Sequence, residues 1–175
     1  MDPGEKQLLL ESLESGRAAL LAALADWPEG LAAQAPAAGR WSALECMEHV
    51  ALVENNLFGR IAASERSETP VGSRALERRI LQRGTDRTRP LEAPDLARPS
   101  GRYTTLAAAQ SAFVSSRTQT IRYVSECRED LRARTASHPR LGPVNCYEML
   151  LIMAIHPQRH VGQIEEIRAA LAASR

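Results

Sequence analysis

The sequence of 175 residues predicts an all-α protein, a four-helix bundle with one long crossover connection. Residues of high helix propensity such as Ala and Leu are abundant, whereas aromatic residues make up only 4% of the chain. Apolar residues recur at helical spacing in four long segments, and only one of the links between these segments is long. The length suits one hydrophobic core, so we expect residues 1–175 to form a single domain.

The first two predicted helices begin at capping boxes, in which the cap residue and the third helical residue bind each other's backbone N–H. Asp2 and Glu5 have the types and spacing for the first box, and Pro3 suits the first helical position. Ser42 and Glu45 have the same relation before the second helix. We therefore expect helices to begin at these two points.

The second half of the chain contains the crossover and two more helices. Residues 67–103 are irregular, with a short helix predicted over 73–83. A third long helix is predicted over 104–134, followed by a tight turn at 137–143. The fourth begins at a capping box of Asn145 and Glu148, and we expect it to reach about Ala173.

Composition excludes several classes of function. The formal net charge of +1 does not favour nucleic acid or an anionic membrane as partner, and no apolar run is long enough to span a membrane. Three cysteines without CxxC spacing argue against a disulfide framework, so a cytoplasmic location is expected. The arginines scattered over 74–102 could contact an anion, but their mixing with prolines and acids favours a solvated connection.

Two histidines interrupt the apolar stripe of the fourth helix. His156 and His160 lie one turn apart on the face that carries Met153 and Ile164. Imidazoles four residues apart can reach one metal ion. The alternative is a pair of hydrogen-bonded core histidines, because an HxxxH pair alone is weak evidence and this one lacks the glutamate of a zincin motif.

A third histidine strengthens the metal hypothesis. His49 lies in the second helix, on one face with Cys46 and Val53. If the second and fourth helices are neighbours, His49 can complete a site of three histidines; otherwise it is a half-buried histidine with a hydrogen-bond partner. His138 precedes a proline in the predicted turn, and hydrogen bonding in the loop is its expected role.

These motifs resemble a known family. The segment WSALECMEHV at 41–50 is similar to the W-s-x-x-E-x-x-x-H-l pattern that opens the second helix of DinB-like (YfiT-like) proteins. Residues 138–142 and 156–164 resemble the h-P-x-x-G and H-x-x-x-H-x-x-Q-I patterns of the same family. The crossover at 67–103 matches nothing specific.

The resemblance implies a fold, a ligand set and a class of chemistry. It assigns the metal ligands to His49, His156 and His160, and it implies an up-down-down-up bundle that is often a homodimer. Relatives bind a divalent ion, so zinc or nickel is expected, with iron, cobalt, copper or manganese still open. They include thiol transferases, a mycothiol-dependent isomerase and metal hydrolases. Pro157 departs from regular helix chemistry, and we expect a local distortion beside His156.

Three histidine ligands would leave a coordination position open for water or substrate, as in catalytic zinc sites. Gln163 could support a ligand by hydrogen bonding, or be an ordinary polar helix residue. Glu45 could serve as a base, although capping its helix is the simpler role. Cys46 could approach the metal, but a small buried apolar role is favoured.

Three functions follow from these residues. The first is metal-dependent transfer or hydrolysis on a small molecule, with a low-molecular-weight thiol as a candidate co-substrate. The second is a non-catalytic stress protein in which the ion clamps the bundle. The third is a dimeric helical interaction module whose histidines only pack.

Overall fold

The computed structural model describes residues 1–69, 71–88 and 91–174. Within them lie five α-helices, three single 3-10 turns and a small antiparallel sheet. The helices are α1 (Pro3–Leu24), α2 (Ala43–Ala62), α3 (Arg74–Arg83), α4 (Leu106–Glu126) and α5 (Cys146–Ala173). The strands are β1 (Glu65–Arg66), β2 (Arg134–His138) and β3 (Gly142–Asn145), and the 3-10 turns are Glu29–Leu31, Asp95–Ala97 and Leu131–Ala133.

The predicted helix starts are confirmed. Each of α1, α2 and α5 begins at a capping box in which both reciprocal hydrogen bonds are present. The pairs are Asp2 with Glu5, Ser42 with Glu45, and Asn145 with Glu148. These bonds satisfy backbone donors that the first turn of a helix leaves free.

Four of the helices form the bundle, with α1 and α2 each packed against both α4 and α5. Contacts at the ends of α1 give its direction. The Met1 ammonium pairs with Asp130, just beyond the end of α4, so α1 and α4 are antiparallel. Arg168, near the end of α5, donates to the carbonyl of Ala23 near the end of α1, so α1 and α5 are parallel.

Contacts along α2 complete the topology. Glu54 bonds Arg117 and Phe58 contacts Tyr123, so α2 and α4 are parallel. Ser64, just after α2, contacts Cys146 at the start of α5, so α2 and α5 are antiparallel. The bundle is therefore up-down-down-up, as the resemblance implied.

The crossover between α2 and α4 contains the predicted short helix, observed as α3 and packed against α5. The rest of the crossover is tied to the bundle through Glu48, whose carboxylate accepts the backbone N–H groups of Ser100 and Arg102. Pro70, Arg89 and Pro90 of the predicted crossover, and Arg175 at the end of the predicted domain, lie outside the described residues.

The predicted third helix is too long at its C-terminal end. It was expected to reach residue 134, but α4 ends at Glu126. Asp130 instead caps a 3-10 turn by accepting the Arg132 N–H, and Arg134 begins a strand. The segment predicted as a turn at 137–143 contains one, but the turn is confined to 139–141, because 137–138 and 142–143 pair as the ends of β2 and β3. Strand β2 also pairs with β1. The all-α class holds, with this short sheet added at one end of the bundle.

The apolar core has two parts, separated along the bundle axis. The part nearer the sheet includes Leu13, Phe58 and Met153, and the other part includes Phe113 and Ile164. Between them lies a layer that contains buried polar side chains from α2, α4 and α5. They are His49, Glu54, Arg117, Thr120 and His160. In the described part of the chain, none of the helices is long and apolar enough to cross a membrane.

Candidate metal centre

Three histidine side chains converge in the middle of the bundle. The Nε2 atom of His156 lies 3.2 Å from Nε2 of His49 and 3.1 Å from Nε2 of His160. One ring nitrogen from each residue lies within 4.8 Å of the other two, and His49 and His160 are each only 5% exposed. The structure therefore brings together the three histidines that the sequence indicated.

Secondary structure accounts for this convergence. His156 and His160 are four residues apart on α5, which places their rings on one face, with centroids 4.5 Å apart. His49 lies on the antiparallel neighbour α2, and its ring centroid is 4.8 Å from that of His160. Trp41, just before α2, packs against the His49 ring at 5.0 Å. The cluster thus joins two helices that lie far apart in sequence.

The crossover sets the orientation of the first ring. The Nδ1 of His49 lies 2.6 Å from the carbonyl oxygen of Ala97. A carbonyl can only accept, so this Nδ1 carries the proton and the Nε2 of His49 presents a lone pair. Sequence reasoning missed this partner, because a backbone carbonyl from a distant connection has no signal in the residue types.

Gln163 sets the orientation of the second ring, as the sequence suggested. Its Oε1 lies 3.0 Å from Nδ1 of His160, and Arg87 donates to the same oxygen at 3.4 Å. An arginine can only donate, which fixes the amide with its oxygen toward both groups. The Nδ1 of His160 therefore donates, and the Nε2 of His160 also presents a lone pair.

The protonation states of the three rings suit a set of metal ligands. Burial lowers the pKa of His49, only partly opposed by the hydrogen bond to Ala97, and burial with neighbouring positive charge lowers the pKa values of His156 and His160 well below their ordinary value. The rings are thus neutral. The Nε2 lone pairs of His49 and His160 both face Nε2 of His156, which can supply at most one proton. The cluster therefore has more hydrogen-bond acceptors than donors. Such a set of imidazole nitrogens fits a divalent metal ion.

Other predicted candidates lie elsewhere or have other roles. The Glu45 carboxylate accepts the backbone N–H of Ser42 at 2.7 Å, as its cap requires. Cys46 is fully buried, and burial raises the pKa of its thiol to about 12, which suits a small apolar residue. His138 Nδ1 accepts the backbone N–H groups of Arg140 and Leu141 in the β2–β3 turn. Among the described residues, the group of side chains placed to hold a metal ion consists of the three histidines, without a cysteine or a carboxylate.

The predicted distortion at Pro157 does not break the helix, since α5 continues through it to Ala173. Beside it lies a residue that sequence reasoning missed. Arg117 of α4 is fully buried and forms an ion pair with Glu54. A signal was present, because Arg117 follows Phe113 by four residues and therefore lies on the inward face of α4.

The fold and the cluster together define a class of protein: a helical bundle with a candidate metal centre between two antiparallel helices. Within that class, residues 12–164 match the DinB superfamily, and the chain belongs to it. This match confirms the resemblance found in the motifs at 41–50, 138–142 and 156–164.

Two solved structures share the fold. One is TT2238, described as a four-helix bundle protein, with 22% identity and a TM-score of 0.60 over 92% of this chain and 98% of that chain. The other is YfiT from Bacillus subtilis, described as a probable metal-dependent hydrolase with an unusual four-helix bundle topology. It has 15% identity and a TM-score of 0.65, over 98% of this chain and 90% of that chain. A comparison with proteins of curated function finds no match.

Proposed function

We propose that this protein binds one divalent metal ion through His49, His156 and His160 and uses it to act on a small molecule, by hydrolysis or by transfer of a thiol. The observation that carries the proposal is the convergence of three imidazole Nε2 atoms, two of them turned inward by hydrogen bonds to Nδ1. Zinc and nickel are the metals that suit this ligand set best, and iron, cobalt, copper and manganese can also bind imidazole.

The donor set supports a catalytic site over a purely structural one. Structural zinc sites use four protein ligands, whereas three histidines leave a position for water or substrate. A divalent ion in such a site would lower the pKa of bound water toward neutrality and would bind a thiol as the thiolate. YfiT, which shares the fold, is described as a probable metal-dependent hydrolase, and this supports hydrolysis as one of the two reaction types.

The protein's own residues would have distinct roles in this chemistry. The Ala97 carbonyl and Gln163 hold two rings in the tautomer that leaves Nε2 free. Trp41 packs on the His49 ring and limits its rotation. Glu45 remains the candidate base, but its carboxylate would have to leave the Ser42 N–H to act, which would weaken the start of α2.

The test is an activity screen of metal-loaded protein against esters, amides and pairs of thiols with electrophiles. We expect turnover in one of these classes, with loss of turnover in His160→Ala and retention in His138→Ala, whose histidine lies in the hairpin. Metal binding without turnover across all classes would contradict catalysis.

A second candidate function, a non-catalytic metal clamp, is favoured by one observation: the cluster connects α2, α5 and, through Ala97, the crossover. A clamp predicts that zinc raises the melting temperature strongly while no substrate is found. An enzyme predicts turnover whatever the size of that rise.

A further inference from the structure

Arg117 is the largest fully buried side chain among the described residues, and all of its polar contacts lie within the bundle. Its Nε and Nη2 donate to the two carboxylate oxygens of Glu54, each at 2.8 Å. Thr120 also donates to Glu54 at 2.8 Å. A buried ion pair often stabilises a fold no more than apolar residues of the same volume would, so its presence calls for another explanation.

Two more N–H groups of Arg117 donate to backbone carbonyls on the two other helices. Nη1 donates to the Leu13 oxygen of α1 at 2.8 Å, and Nη2 donates to the Met153 oxygen of α5 at 2.7 Å. The approach is close because Gly16 lies against α5, where a Cβ would be only 2.6 Å from the Ala154 oxygen. The guanidinium thus touches all four helices of the bundle.

The contact with Met153 has a specific chemical reason. In an α-helix the carbonyl of residue i accepts the N–H of residue i+4, and for Met153 that residue is Pro157, which has no N–H. The Met153 carbonyl is therefore without its helical donor in a buried part of the core. Arg117 supplies a donor to that carbonyl in its place.

The helical turn in which Arg117 replaces the missing donor is the turn from Met153 to Pro157. This turn carries the candidate ligand His156. We propose that Arg117, held in place by Glu54, is a positioning residue for the metal site: it replaces the amide donor that Pro157 removes and so fixes the direction of the His156 ring. This inference rests on the proposed metal site, but its structural half can be tested without metal.

The first experiment is a double-mutant cycle between the ion pair and the proline, measured on metal-free protein. One change is Arg117→Met with Glu54→Met, which replaces the buried pair by apolar residues and avoids an orphaned charge. The other is Pro157→Ala, which restores an N–H for Met153. The double methionine change should increase the unfolding equilibrium constant in both backgrounds. We expect the factor of increase to be at least five times larger when residue 157 is proline than when it is alanine. Equal effects in both backgrounds would overturn the proposal.

The second experiment measures zinc affinity and the visible spectrum of the cobalt-loaded protein in the same variants. The double methionine variant should bind zinc about tenfold more weakly with an altered cobalt spectrum, as for loss of a supporting contact, and Pro157→Ala should restore both. A merely structural pair would lower stability and leave affinity and spectrum unchanged, which would contradict the positioning role.

Two further variants keep the result decisive. If the double methionine protein does not fold, Arg117→Lys replaces it in both experiments, since lysine keeps the charge but lacks the fork that reaches Glu54 and Met153 together. Arg132→Met is the control, because it removes an arginine of the sheet end and should leave zinc affinity unchanged. If the wild-type protein binds no metal, the proposed function fails, while the metal-free cycle still decides whether Arg117 stands in for the missing amide.

Discussion

Two polar clusters lie along α5, and they differ in how their groups are matched. Near the sheet, Arg132 bonds both Glu5 and Glu77, and Arg74 bonds the same two carboxylates. Two positive and two negative charges satisfy each other there, and Arg132 also stacks on Tyr147 at 4.1 Å. The charges of that cluster balance without a ligand, although the Nε of Arg132 is buried without a hydrogen-bond partner.

In the histidine cluster, by contrast, hydrogen-bond acceptors outnumber donors, and we call this cluster unmatched. Its three neutral rings turn their Nε2 atoms toward one point, and two of these atoms are acceptors because Ala97 and Gln163 accept the Nδ1 protons of His49 and His160. Burial of polar groups alone therefore does not distinguish a binding site from a structural contact. The excess of acceptors does, because it leaves a place for a cation.

The largest expected effect is on zinc affinity in His160→Ala. Removal of a ligand should weaken binding well beyond the roughly 100-fold that loss of a supporting hydrogen bond costs. The metal-free protein should remain folded, since the change also removes one of the two Nε2 acceptors that lie against His156. Competition with a chromophoric chelator measures the affinity. His138→Ala is the matched control, and a similar loss in that variant would show that the cluster is not the binding site.

Arg132→Met, in the charge-paired cluster near the sheet, should lower stability and leave zinc affinity unchanged. Glu5 and Glu77 would lose their most buried partner, so the free energy of unfolding should fall by about 2–3 kcal/mol. Urea denaturation checks this value, and zinc affinity should not change. Arg79→Met, at an exposed position on α3, should stay within about 0.5 kcal/mol of wild type. A change in zinc affinity in Arg132→Met would mean that the two clusters are coupled.

Part of the fold and of the candidate site could be predicted from the sequence. Helix starts and the faces of His49, His156 and His160 follow from local spacing, and so did the partner Gln163, three residues from its histidine. The end of α4 did not, because Arg134 enters a strand that pairs with Arg66, which is distant in the sequence. Pairing between distant segments depends on the whole fold.

The same limit applies to the supports of the candidate site. The Ala97 carbonyl binds His49 across 48 positions of sequence, and backbone groups are the same in every residue type. Arg117 carried a local signal on an apolar face, but its partner is a carbonyl freed by a proline on another helix. The candidate ligands and the nearby Gln163 were therefore predictable, and the two supports that come from distant segments, the Ala97 carbonyl and Arg117, were not.

A smaller effect is expected in Gln163→Ala. Without the amide oxygen, the His160 ring loses the acceptor at its Nδ1, and metal affinity should fall about 10–100-fold. Gln163→Glu keeps an acceptor at that position and should retain most of the affinity. Glu165→Ala, at an exposed position on α5, serves as the control. An unchanged affinity in Gln163→Ala would reduce this glutamine to an ordinary polar residue.

The smallest effect concerns acid stability in the matched cluster. Burial alone would raise the pKa of Glu5, but hydrogen bonds from Arg132 and Arg74 outweigh it and lower that pKa from 4.5 to about 2. A lowered pKa in the folded state contributes stability above pH 4.5, and this contribution is lost as the pH falls toward 2. Wild type should therefore exceed Glu5→Gln in stability at pH 6, with the difference shrinking between pH 4.5 and 2.

Urea denaturation at several pH values measures this difference. Glutamine can still form the capping box with Asp2, so the comparison isolates the charge. Glu126→Gln, at an exposed position, gives the reference curve. A difference that stayed constant down to pH 2 would contradict the role of the Glu5 charge in that cluster.

Calorimetric titration of zinc into metal-free protein tests most directly whether the histidine cluster is a metal site. We expect one ion to bind per chain of wild type and none to bind His49→Ala, with both proteins folded before titration. Uptake of no ion by wild type, or equal uptake by both proteins, would contradict it.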